Sequence, residues 1–122
     1  MREQFHVILH IYYYHKLFNF YFDGAAGFTK MVNLMKGLRD NPITEVAGLK
    51  VLEVIDYALG IEDLPKADVV TYKLEDGSQI IIRPSGTEPK LKIYATAVGD
   101  RSYCDEVVAK MDNWLHKFIE KC

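Results

Sequence analysis

A chain of 122 residues, 49% hydrophobic and 26% charged, has the balance of one globular domain and leaves little room for a second. Its formal net charge of -2 excludes the broad basic field that draws nucleic acid, so any anion site must be local. Two cysteines, Cys104 and Cys122, are too few and too far apart for a disulfide scaffold or a CxxC motif, and fit a reduced, cytoplasmic protein.

The apolar run at residues 5–14 is interrupted by His6 and His10 and is too short to cross a bilayer. It reads as a segment that packs on a surface. The two histidines stand at helical spacing, but no carboxylate or cysteine joins them, so packing is favoured over a metal site. From Leu17 the alternation puts Phe18, Phe20 and Phe22 on one face of an extended strand. Asp23-Gly24 ends it. Phe28, Met31, Val32, Met35 and Leu38 then recur at helical spacing, and Asn41-Pro42 stops the helix. A second strand is predicted over residues 48–57, with Val51, Ile55 and Tyr57 on one side, followed by a loop over residues 59–67.

Residues 69–74 and 79–83 flank Glu75-Asp76-Gly77-Ser78. Asp-Gly between two β-rich runs predicts a hairpin, because glycine accepts the positive φ of the turn. Leu91, Ile93, Ala95 and Ala97 alternate along a last strand. Ser102 is the expected cap of a closing helix with an apolar stripe of Val107, Val108, Met111, Trp114, Leu115, Phe118 and Ile119. The order strand, helix, four strands, helix predicts an α+β two-layer domain. Its mostly antiparallel sheet has about five strands, with the two helices on one face.

Chemistry concentrates between the hairpin and the last strand. Arg83 carries a planar fork of donors that suits two oxygens of a phosphate. Ser85 and Thr87 add hydroxyls, and Gly86 lets an anion approach the backbone N–H groups. Pro84 and Pro89 restrict the loop at both ends. Lys90 and Lys92 share a strand face and add positive charge against Glu88. The residues alone leave two readings open, an anion cradle or an ordinary tight turn. No GxxxxGK[ST] string occurs and no helix follows the loop, which disfavours a nucleotide. Cys104 and Ser85 have no adjacent base in the sequence, so no catalytic residue is assigned, and no metal ligand either.

The string Ile82-Arg83-Pro84-Ser85-Gly86-Thr87-Glu88-Pro89-Lys90-Leu91-Lys92 resembles the RPSGTEP phosphate-binding loop of the α-D-phosphohexomutases, which include phosphoglucomutase and phosphomannomutase. The flanking Asn41-Pro42, Glu45 to Gly48 and Asp76-Gly77 are also similar. The resemblance implies the C-terminal domain of such an enzyme over residues 17–122, with a fold similar to the TATA-binding-protein class. It implies that residues 1–16 lead in from an upstream domain. It implies that Arg83, Ser85, Gly86, Thr87 and Lys92 hold the phosphate of a hexose phosphate; Lys92 stands where many relatives carry arginine.

The same resemblance implies three further loops, similar to TASHNP (phosphoserine), DGDxDR (Mg2+) and GEESG (sugar). None of these strings occurs in the 122 residues. No cofactor is therefore expected in this chain, with Mg2+ confined to the full-length parent. The expected partners are the sugar phosphate and the upstream domains, with neither nucleic acid nor membrane. The chain alone is not expected to be an active enzyme. The alternative is a truncated remnant that docks on another protein through its N-terminal apolar segment.

Overall fold

The computed structural model describes residues 12–59, 67–85 and 88–121. Among these, six strands form one antiparallel sheet: β1 (Tyr12–Tyr21), β2 (Glu45–Val46), β3 (Leu49–Asp56), β4 (Val70–Leu74), β5 (Gln79–Pro84) and β6 (Lys90–Gly99). Two helices, α1 (Gly24–Asp40) and α2 (Arg101–Lys121), complete the domain. The spatial order β1-β6-β5-β4-β3-β2 is a meander from β2 to β6, with the first strand laid beside the last.

The expected α+β architecture is the one observed, with one more strand than expected in the two-residue β2. Val46 of β2 is fully buried. Ala47 and Gly48 adopt positive φ (52° and 86°), which turns the chain tightly enough for β2 to pair with β3. Strand β1 begins at Tyr12, not at Leu17, and residues 12–16 pair with residues 95–99 of β6. The remainder of the apolar run, with His6 and His10, lies outside the described residues, as do positions 60–66 of the predicted loop.

Alternation sorts β5 and β6, while on β4 Thr71 is buried along with its neighbours. Leu91, Ile93, Ala95 and Ala97 of β6 are buried, as are Ile80 and Ile82 of β5 and Val70, Tyr72 and Leu74 of β4. With Phe18 and Phe22 they form a single core with Met31, Leu34, Met35 and Leu38 of α1 and Cys104, Val107, Val108, Met111 and Leu115 of α2. Helix α1 differs from its expected face. Phe28 and Val32 are 54% and 49% exposed, and Leu34 is buried in their stead. Residues 28, 31, 32 and 35 and residues 31, 34, 35 and 38 both satisfy helical spacing. Periodicity cannot choose between two overlapping stripes; contact with the sheet does.

Arg39 closes α1 against the sheet. Its Nε donates to Asp56 Oδ2 at 2.9 Å, and its Nη2 lies 2.7 Å from Asp68 Oδ1. Burial opposes charge on Asp56, but the Arg39 hydrogen bond, with the Ala58 N–H, holds its carboxyl below the ordinary carboxylate range.

The 74–79 hairpin is anchored to α2. Gly77 takes φ 88°, and Leu74 N–H donates to Ser78 C=O at 2.8 Å. Asp76 accepts from Ser78 N–H and Oγ and from the Tyr103 hydroxyl, the last at 2.6 Å. Asp100, not Ser102, caps α2: its Oδ1 accepts the Tyr103 N–H at 2.9 Å. Gly99, at φ 146°, turns the chain two residues earlier than a cap at Ser102 would require.

The bond to Asp76, helped by burial, pushes the Tyr103 hydroxyl up to about 12. The unfolded chain ionises this group near its ordinary value of 10.0, so the stability tied to it is complete below that pH and falls as pH rises toward about 12. Tyr103→Phe should cost about 1–2 kcal/mol at neutral pH. It should also flatten the alkaline limb of a urea-denaturation series relative to the natural chain. An unchanged alkaline limb would show that this bond is not formed.

Candidate functional site

The helices cover one face of the sheet and leave the other open. On β6, Lys90 and Lys92 alternate with the fully buried Leu91 and Ile93, so both lysines point to the open face. Cross-strand register extends this face outward. Arg83 of β5 and Asn19 of β1 both oppose Lys92, and Tyr21 of β1 opposes Lys90. Midway along the same face runs a mostly apolar row of Ile55, Thr71, Ile81, Tyr94 and Leu17, in which Thr71 is buried. The open face is thus apolar at its centre and cationic at the end that carries the β5–β6 loop.

That loop is tied down at three backbone points. Ser85 N–H donates to Lys90 C=O at 2.9 Å, Lys90 N–H to Glu88 C=O at 2.8 Å, and Phe22 N–H to Pro89 C=O at 2.7 Å. The third bond fastens the loop to the end of β1. Lys90 sits 3.5 Å from Glu88 Oε2 and 5.7 Å from the centroid of the Tyr21 ring. On the helix side of the loop, Pro84 and Ser85 share a hollow of about 550 Å³ with Phe28, Val32, Lys36 and Arg39 of α1. The two apolar residues missing from the α1 core stripe are those that border this hollow.

Of the sequence-predicted site residues, Arg83, Ser85 and Lys92 stand together at this end of the sheet. Arg83 is exposed and Lys92 half-buried, and among the described residues neither makes an ion pair. Gly86 and Thr87 lie outside the described residues. Asn19 and Tyr21 belong to the same surface but were not expected there. The only sequence signal for them was the outward alternation of Leu17, Asn19 and Tyr21, and that does not reveal which strand β1 joins. Like charges directly opposed across two strands are destabilising, so the Arg83–Lys92 pair is an arrangement that an anion would relieve.

The fold and this surface define a two-layer α+β domain whose open sheet face ends in a cationic, glycine-containing loop. The profile of the family described as phosphoglucomutase/phosphomannomutase, C-terminal domain, matches residues 30–113, and the chain belongs to that family. It is 37% identical over 98 residues to a probable phosphomannomutase of Haemophilus influenzae, across 80% of this chain and 20% of that protein. It is 36% identical over 109 residues to a phosphoglucomutase of Staphylococcus epidermidis, across 80% of this chain and 19% of the relative. A phosphoglucomutase of Staphylococcus aureus is 35% identical over 91 residues, 66% of this chain and 16% of the relative. The chain therefore spans about a fifth or less of the length of these curated relatives.

Proposed function

We propose that this chain is the substrate-phosphate-binding domain of a phosphoglucomutase or phosphomannomutase, and that Arg83, Ser85, Gly86, Thr87 and Lys92 hold the phosphate of a hexose phosphate. The observation that carries the reading is Arg83 facing Lys92 at the mouth of a loop of sequence RPSGTEP. Arg83 supplies a fork for two oxygens and Lys92 a point charge. The loop supplies hydroxyls and backbone N–H groups. The names of the relatives, phosphomannomutase and phosphoglucomutase, support a phosphorylated sugar as the ligand.

Phosphoryl transfer requires a donor, charge neutralisation and alignment. These residues supply alignment and part of the neutralisation, while strings similar to TASHNP, DGDxDR and GEESG are absent from the sequence. The chain on its own binds and does not turn over substrate. On this reading Mg2+ belongs to the full-length parent enzyme; among the described residues no group of three His, Cys, Asp or Glu side chains could hold a metal ion. The protein partners of this reading are the upstream domains of the parent enzyme. On this reading the domain works in the cytoplasm, with neither nucleic acid nor membrane as an expected partner, and the slight negative charge supports that. Among the described residues no helix is long and apolar enough to cross a membrane.

Calorimetric titration with glucose 1-phosphate should show weak binding, because one wall of a larger cleft lacks the contacts of the others. Arg83→Ala should weaken it at least about ten-fold, the scale of a lost charge-assisted hydrogen bond. Equal binding by the natural chain and Arg83→Ala would overturn the reading.

A further inference from the structure

We infer that Asn19 and Tyr21 of β1 form a subsite for the uncharged part of the phosphorylated ligand, its polyhydroxylated ring. The inference rests on the phosphate reading and adds to it a strand that the loop motif does not contain.

Register places Arg83, Lys92 and Asn19 in one line across β5, β6 and β1. Neighbouring strands lie about 4.8 Å apart, so Asn19 is about 10 Å from Arg83 at the backbone. A phosphate seated between Arg83 and the loop leaves Asn19 facing whatever that phosphate is attached to. The carboxamide both donates and accepts, as a sugar hydroxyl does, whereas a phosphate dianion only accepts. Among the described residues the Asn19 side chain makes no hydrogen bond, and it is exposed.

Tyr21 stands one step nearer the loop on the same face and is 62% exposed. The Lys90 ammonium lies 5.7 Å from its ring centroid, and the backbone of the next residue, Phe22, is bonded to Pro89 of the loop. A large ring open to solvent offers an apolar face to the C–H side of a sugar and a hydroxyl to its rim. An amide, an aromatic ring and a cation pair on one surface make a site for a molecule that is anionic at one end and a polyol at the other.

The test compares inorganic phosphate with glucose 1-phosphate on the full chain. The natural chain should prefer the sugar phosphate. Asn19→Ala and Tyr21→Ala should each reduce that preference about five-fold while leaving the affinity for inorganic phosphate within about two-fold. Asn19→Gln should restore part of it. Asn19 is exposed, so its substitution leaves the core intact, and matching amide spectra would establish that each variant is folded. If inorganic phosphate binds but neither alanine variant changes the preference, the subsite is wrong and the phosphate reading stands. If the natural chain shows no preference, the subsite is likewise wrong. If neither ligand binds the natural chain, both readings fall together.

Discussion

Replacing Ile93 by alanine is expected to lower the unfolding free energy by about 2–5 kcal/mol. Ile93 is fully buried on β6, opposed by Phe18 on β1 and Ile82 on β5, and it faces the helices. Deleting its outer carbons removes apolar area from the centre of the core and leaves a gap that three strands and two helices cannot close together. Urea denaturation should show a lower midpoint with an unchanged slope. A loss below about 1 kcal/mol would mean that β6 is not the core strand described here.

Gly27→Ala should destabilise, against the usual sign for a helix. In an open helical position this change gains about 1 kcal/mol. At Gly27, however, an added Cβ would lie 2.6 Å from the carbonyl carbon of Phe22 and 2.8 Å from its oxygen. Those are backbone atoms, and Phe22 N–H is bonded to Pro89 C=O of the loop at 2.7 Å, so relief by movement would disturb the site as well. The expected cost is about 1–3 kcal/mol, with weaker phosphate binding beside it. Gly37→Ala in the same helix meets nothing within 4 Å and should stabilise instead. Opposite signs at these two glycines would confirm how closely α1 approaches the end of β1; equal signs would refute it.

Much of this architecture was legible because the governing signals are local. Asp76-Gly77 announced the β4–β5 hairpin, and alternation gave the buried face of β6. The loop at 83–90 stood out by composition and by its string. What was not legible depended on distant partners. The pairing of Asn19 with Lys92 and of Tyr21 with Lys90 joins the first strand to the last, and no sequence period encodes such a choice. The true face of α1 required the sheet to select Leu34 over Phe28 and Val32. The cap of α2 fell to Asp100 because Asp and Ser serve equally well there and the turn at Gly99 decides between them. The site was thus half visible: its loop could be read, but the strand that widens it could not.

The most direct test of the central claim is a proton–nitrogen NMR titration of the chain with inorganic phosphate. The account predicts shifts concentrated at the amides of Arg83, Ser85, Lys90 and Lys92 and spreading to Asn19 and Tyr21 across the sheet, all abolished by Arg83→Ala. Shifts gathered in the groove between α1 and α2, around Asn33 and Phe118, or no shifts at any phosphate concentration, would contradict it.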